Sequence, residues 1–188
     1  NVPLYIHLYG FYKYRTENDA KTASHLFMQA INYDETYIAP YYGLMEIFIK
    51  YNNYEGIINY GPKLIALEPT NQAIYIQIAR AYMLLGEYEK GIEFFNEYNS
   101  LGYGTSNSHW FIGECYFNLG DYRKAIDYLL VEYQDGLEIM HNNNAGRYRY
   151  LAYSYYMLES YLKAFNAQKE FIRITIDNNL QNYQDLVQ

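Results

Sequence analysis

Hydrophobic residues fall at helical spacing in blocks of about a dozen, and the blocks themselves recur. The clearest run starts at Gln72. A shift of 34 residues down the chain turns Tyr82, Gly86, Tyr88 and Gly91 into Tyr116, Gly120, Tyr122 and Ala125. The same shift upward turns Tyr75, Tyr82 and Tyr88 into Tyr41, Phe48 and Tyr54. A period of 34 with large, small and aromatic residues at fixed places predicts an all-α chain of helix-turn-helix repeats. Each repeat holds a helix A near positions 1 to 14 and a helix B near positions 15 to 28. Five repeats fit, near 4–37, 38–71, 72–105, 106–144 and 145–178, the last after five extra residues. Residues 179–188, with Leu180, Tyr183 and Leu186 at helical spacing, read as a capping helix, and the whole of 1–188 as a single domain.

Local signals refine these elements. Gly10 fits position 7 or 8 of the first repeat, while Ala23, Phe27 and Ala30 form a small-large-small face on its helix B. Gly61-Pro62 inside the second helix B predicts a kink or break near Tyr60, since proline removes a hydrogen bond and clashes with the preceding turn. Thr70 and Asn71 can cap the next helix. Ala79 with Gly91, and Gly113 with Ala125, place small residues where helices A and B cross. Gln134 to Gly146, with Asp135-Gly136 and the polar run His141 to Asn144, predicts a longer loop after an extended fourth helix B.

The pattern resembles tetratricopeptide-repeat proteins over nearly the whole chain. That implies a right-handed superhelical array whose A helices line a concave surface. The first two repeats carry a narrower likeness in Tyr5-Ile-His-Leu-Tyr-Gly-Phe-Tyr, Arg15-Thr-Glu-Asn-Asp-Ala, Phe27-Met-Gln-Ala-Ile-Asn-Tyr-Asp and Ile38-Ala-Pro-Tyr-Tyr-Gly-Leu. These segments are similar to the repeat domain that follows the winged helix in some bacterial transcription regulators, including HilA-like virulence regulators. The resemblance implies a regulatory domain that binds a protein or peptide or pairs with itself as a homodimer. An acidic repeat chaperone of the secretion type, holding an apolar client segment, is the alternative.

Family positions 2, 5, 6, 9, 12 and 13 imply the groove residues. Repeat 2 offers Tyr42, Glu46, Ile49 and Lys50, and repeat 3 offers Ile76, Gln77, Arg80 and Met83. Repeat 4 offers Asn107, Trp110, Phe111, Glu114 and Phe117, and repeat 5 offers Arg149, Tyr150, Tyr153 and Tyr156. Tyr9 and Tyr12 are the first repeat's counterparts. Trp110, Phe111 and Phe117 would stand exposed in an empty groove, open to another chain, to the chain's own C-terminal segment or to a dimer mate. Position 9 reads Glu46, Arg80, Glu114, which is either a polar centre that orients a peptide or a salt-bridge ladder between repeats. The family's carboxylate clamp for chaperone tails is not reproduced, because Tyr42/Glu46 and Ile76/Arg80 stand at its positions.

Composition narrows the function. Apolar residues make up 51% of the 188 positions, enough for a core, and the 27 tyrosines suit half-buried surfaces that keep a hydroxyl wet. A net charge of −7 with no Lys/Arg cluster argues against direct nucleic-acid binding by this segment. No apolar run reaches membrane length; Tyr37 to Ile49 is interrupted by Pro40 and Glu46. Asn1 at the start, with no signal-peptide pattern, suits a piece of a longer or processed chain, and the resemblance implies a bacterial cytoplasmic protein. Lone Cys115 reads as a small buried residue. His7, His25, His109 and His141 are scattered, so no metal is expected. Gly102-Tyr-Gly-Thr-Ser lacks the lysine of a phosphate loop and reads as a glycine turn with Thr105 or Ser106 capping the next helix. Asp34-Glu35 reads as a helix start. No nucleophile motif is present, so neither catalysis nor a cofactor is expected.

Overall fold

The computed structural model describes residues 2–103, 106–131 and 141–187, except the side chains of 103, 106–107, 141–144 and 181–187. Every regular element among the described residues is helical. The order is α1 (Val2–Thr16), α2 (Ala20–Tyr33), α3 (Ala39–Lys50), α4 (Tyr54–Leu67), α5 (Gln72–Leu84), α6 (Tyr88–Tyr98), α7 (Ser106–Asn118), α8 (Tyr122–Leu129), α9 (His141–Met157) and α10 (Tyr161–Val187). Odd-numbered helices are the A helices and even-numbered ones the B helices, and each A helix packs on the B helix that follows it. The all-α helix-pair repeat expected from the period is the observed fold.

Turn chemistry explains why the period is so strict. Between A and B helices one residue takes a left-handed conformation: Asn18 (φ 54), Asn52 (φ 53), Gly86 (φ 80), Gly120 (φ 79) and Glu159 (φ 58). The first four stand 34 residues apart. Asn18 thereby fixes the first repeat at Leu4 and Gly10 at position 7. After the left-handed residue the chain folds back, and Asn53 N donates to the Phe48 carbonyl at 2.8 Å, Glu87 N to Tyr82 at 2.9 Å and Asp121 N to Tyr116 at 3.0 Å. These bonds satisfy carbonyls that the A helix leaves open at its end. The next residue starts the B helix. Asp19, Asn53 and Asp121 accept from the backbone N–H of Thr22, Gly56 and Lys124 at 3.0, 2.9 and 3.2 Å.

The chain forms two compact units, 1–101 and 102–188. The first is built around Phe27, Leu44, Phe48, Leu64 and Ile78. Its Phe27 ring, fully buried, lies between two glycines: a Cβ on Gly43 would stand 2.5 Å from the ring, and one on Gly10 2.9 Å. The second unit gathers Ala125, Ile126, Leu129, Leu151, Ala152 and Ala167. Ala23, Ala30, Ala79, Cys115 and Ala125 are fully buried, as the small residues at helix crossings require.

Several local expectations are corrected. α4 runs unbroken through Pro62. Pro62 itself is exposed while Gly61 packs against Ile78, so the helix turns its defect toward solvent. Asn71 precedes α5 without a side-chain capping bond, and its Nδ2 donates to Tyr42 and Glu68. Asp34 closes α2 rather than opening a helix, and it accepts from Thr36 N at 3.0 Å and Thr36 Oγ1 at 2.7 Å. The fourth B helix is short, ending at Leu129, and α9 already begins at His141, inside the expected loop. The rest of that loop, 132–140, lies outside the described residues, as does Thr105. The expected separate cap is instead the continuation of α10, a helix of 27 residues. Gly102, at φ 81, does form the turn after α6.

Candidate functional site

The expected groove residues divide between the two units. In the first, α3 presents Tyr42, Glu46 and Ile49, all exposed. Tyr42 is nevertheless anchored. Its hydroxyl donates to Glu68 at the end of α4 and accepts from Asn71 Nδ2 at 2.7 Å. Burial first, and then the Glu68 charge, raise the Tyr42 hydroxyl above the usual phenol range. Its hydrogen bond is the main cause that holds Glu68 below the usual carboxylate range. The site therefore fixes the junction between α3, α4 and α5 and leaves Tyr42 partly exposed.

Glu46 is paired from the first repeat. It is held by Arg15 at 2.7 Å, and that guanidinium also lies over Phe11 (5.4 Å) and Tyr14 (5.3 Å). Glu114 accepts from Tyr150. The first repeat brings its own arginine beside Glu46, and the fifth brings a hydroxyl beside Glu114. Arg80 is exposed and has interactions of its own, and Ile76, Gln77 and Met83 of α5 are half-buried. Tyr42 and Glu46 share a hollow of ≈ 250 Å³ with His7, Phe11, Tyr14 and Phe27. His7 was not singled out from the sequence. Its ring packs on Phe27 (5.5 Å) and Tyr37 (5.6 Å), and burial pushes it below the usual imidazole range.

In the second unit the aromatic residues converge on α7 and α9. Phe117 is the hub: its ring lies 4.9 Å from Tyr150, 5.4 Å from Tyr153 and 5.7 Å from Tyr122. Tyr153 continues to Tyr156 at 6.4 Å, and Tyr156 to Tyr161 at 5.9 Å. Polar groups punctuate the row. The Tyr150 hydroxyl donates to Glu114 Oε1 at 2.5 Å, and Arg149 lies over the Tyr150 ring at 5.1 Å. Burial, and then Glu114, push the Tyr150 phenol up to about 12. Arg149, Tyr153 and Tyr156 also line a hollow of ≈ 410 Å³, together with Tyr161, Phe165 and Gln168 of α10, which sequence reasoning missed.

Trp110 corrects the expectation of an exposed groove aromatic. It is half-buried, meets the Phe111 ring at 4.6 Å with the two planes tilted by 54°, and lies close to Gly146 of α9. Phe111 and Phe117 are half-buried as well. The Trp110 indole N–H is buried and has no hydrogen-bond acceptor among the described residues. The Asn107 side chain lies outside the described residues.

Among the described residues no three His, Cys, Asp or Glu side chains gather into a metal site, and no described helix is long and apolar enough to cross a membrane. The arrangement offers ring faces, a guanidinium and a few hydroxyls, which is the chemistry of protein recognition.

Comparison with known proteins locates the fold. A family model described as anaphase-promoting complex, cyclosome, subunit 3 matches residues 50–132. The comparison with curated proteins finds no match. Among solved structures, a crystal structure of MamA has 16% identity and a TM-score of 0.72, covering 89% of this chain and 95% of that one. MamA from Desulfovibrio magneticus RS-1 has 9% identity and a TM-score of 0.71, covering 93% and 96%. A Podosopora anserina kinesin light chain with nearly identical TPR-like repeats has 15% identity and a TM-score of 0.62, covering 95% and 98%. At these identities the likeness is one of fold: the chain folds as consecutive helix pairs of the tetratricopeptide kind.

Proposed function

We propose that this chain is a protein-interaction module that grips an apolar segment of a partner along the A-helix face of its second unit. The row Phe117, Tyr150, Tyr153 and Tyr156 carries this reading. Tyr153 and Tyr156 are more than half exposed, so a segment laid along them covers ring faces that water now wets. Arg149 and the Glu114–Tyr150 pair give that segment a direction. The resemblance of the first two repeats supports a finer role, as the regulatory part of a bacterial transcription regulator.

Peptides selected by display on the wild-type chain provide the test, with affinities measured by fluorescence anisotropy. Tyr153→Ala is expected to weaken them at least about tenfold, because exposed tyrosines at interfaces act as hot spots, with melting unchanged. Equal affinity would show that the row is not the site. For the regulatory role, chromatin immunoprecipitation of the natural protein should recover discrete promoter DNA. Recovery of none removes that role and leaves the secretion-type chaperone, which the apolar surface of α1 favours.

A further inference from the structure

The first repeat departs from the pattern of the others at two places on its B helix. Position 17 is Tyr54, Tyr88, Tyr122 and Tyr161 in repeats 2 to 5, but Ala20 in repeat 1. Position 21 is Ile58, Ile92, Ile126 and Phe165, but Ser24 in repeat 1. One helical turn separates the two places, so they share a face. In α4 they are filled, and Tyr54 and Ile58 pack against the core of the first unit. In α2 they open on a hollow of ≈ 360 Å³, bounded by α2, the end of α3 and the turn into α4. α2 and α3 are consecutive packed helices of one unit. The Ser24 hydroxyl adds little polarity to the wall, because it donates to the Ala20 carbonyl at 2.8 Å within α2.

The chemistry of the hollow divides by depth. Ile47 and Phe48, both buried, and half-buried Met28 form an apolar floor. Lys21, His25, Tyr51 and Asn53 stand exposed at the rim. Among the described residues the lining holds one charged side chain, Lys21, and no carboxylate, in a chain with 21 acidic residues and a net charge of −7. Lys21 forms no ion pair among the described residues. Asn53 Oδ1 accepts from Gly56 N at 2.9 Å, which leaves Nδ2 to donate. Lys50 lies over the Tyr51 ring at 5.5 Å and brings a second cation nearby. The neighbouring acid, Asp19, is turned to Thr22 N at 3.0 Å.

We infer that this hollow binds a small amphipathic carboxylate. The aromatic or aliphatic body takes the space of the absent tyrosine and isoleucine, and the carboxylate meets Lys21 and the donors of the rim. Size favours a small molecule. Pockets for such ligands run from ~300 to ~1,000 Å³ and combine an apolar lining with a few placed polar groups. A protein partner needs roughly 1,000 Å² of buried surface, whereas the hollow spans one helix junction. The rim decides the charge: an acid gains a charge-assisted bond from Lys21, and an amine would face that cation with no carboxylate in the lining to offset it. None of these residues belongs to the row on α7 and α9, so acid binding and peptide binding can fail separately.

The probes are hydrocinnamate, indoleacetate and octanoate, each beside its neutral amide. They are titrated into the isotope-labelled chain and followed by backbone amide shifts. At least one acid is expected to saturate, with shifts confined to residues 20–28 and 47–53. Its amide should bind about tenfold more weakly, the scale of a charge-assisted hydrogen bond. Lys21→Gln should bring the acid down to the level of its amide and leave the amide unchanged. Ala20→Tyr with Ser24→Ile restores the residues of the other repeats; it should abolish binding of both forms while the melting temperature holds or rises. Ser24→Ile alone serves if the pair fails to fold. The inference is overturned if none of the three acids saturates, or if acid and amide bind equally. It is also overturned if Lys21→Gln leaves the acid unaffected, or if the filled variant still binds.

Discussion

Gly43→Ala tests the packing logic of the first unit with a single methyl group. Its Cβ would stand 2.5, 2.7 and 2.9 Å from three atoms of the Phe27 ring. Carbon atoms in contact settle near ~3.5–4.0 Å, so the ring would have to retreat by about 1 Å. It cannot retreat freely. On its other side a Cβ position on Gly10 lies only 2.9 Å away, so the backbone of α1 backs the ring. Overpacking of a well-filled core costs ~1–3 kcal/mol, and a ring held on both sides belongs near the top of that range. Replacing glycine by alanine within a helix returns ~1 kcal/mol. The expected net loss is therefore about 2 kcal/mol, or about 1 M in urea midpoint for an m-value near ~2 kcal/mol per molar.

Urea unfolding followed by circular dichroism measures this loss, and a double-mutant cycle assigns it. Phe27→Leu alone should destabilise by about 1–2 kcal/mol. In the Gly43→Ala background it should cost much less, because the new methyl group occupies space the ring gave up; the coupling should reach about 1 kcal/mol. Gly86→Ala is the contrast. Nothing lies within 4 Å of its Cβ position, and its cost arises from φ 80 alone. A neutral or stabilising Gly43→Ala, or strict additivity with Phe27→Leu, would refute the wedge.

The parts of the fold legible in the sequence are those where backbone geometry restricts the residue type. The A-to-B turn needs a left-handed residue, which asparagine and glycine adopt cheaply, so Asn52, Gly86 and Gly120 mark the period. The crossings need small side chains, which made Ala79, Gly91, Gly113 and Ala125 readable. Elements that depend on the absence of a strong signal were not readable. Asp177-Asn178-Asn179 looked like a boundary, yet each costs a helix only a few tenths of a kcal/mol, roughly, and α10 continues through them. Pro62 looked like a break, but whether proline breaks a helix depends on which side faces solvent. The site was legible as a set of positions and illegible as a set of bonds. The repeat pattern placed Tyr42, Glu46, Glu114 and Tyr150 on A helices. It could not show that Asn71 and Glu68 hold Tyr42, that Arg15 takes Glu46, or that Tyr150 takes Glu114.

Trp110→Ala is expected to destabilise the second unit by about 2 kcal/mol, short of the ~3–5 typical of a fully buried aromatic; an unchanged melting temperature would show that the indole is not part of the packing. Tyr150→Phe should flatten alkaline unfolding. The Tyr150 phenol is raised to about 12 in the folded chain, so its stabilisation is complete below the unfolded value near ~10 and is lost as pH climbs from there to about 12. The acid side belongs to two kinds of group. Asp19, Asp34, Glu68 and Asp121 are held below the usual carboxylate range, so their contribution is present at neutral pH and is lost only as pH falls below about 4. His7 acts earlier. Its folded pKa is depressed by burial, its Nδ1 is buried without an acceptor or donor among the described residues, and its ring contacts are Phe11, Phe27 and Tyr37, with Tyr42 and Glu46 lining the same hollow. A protonated imidazole there would leave water for aromatic surroundings. The unfolded chain takes up that proton near pH ~6.5, whereas the folded chain resists it, so stability should begin to fall as pH drops below that value, well before any carboxylate titrates. Urea midpoints measured from pH 8 to 5 should show this early loss in the wild type and not in His7→Leu. Equal slopes in the two proteins would mean that His7 titrates as a solvated side chain and that its packing against Phe27 carries no pH dependence.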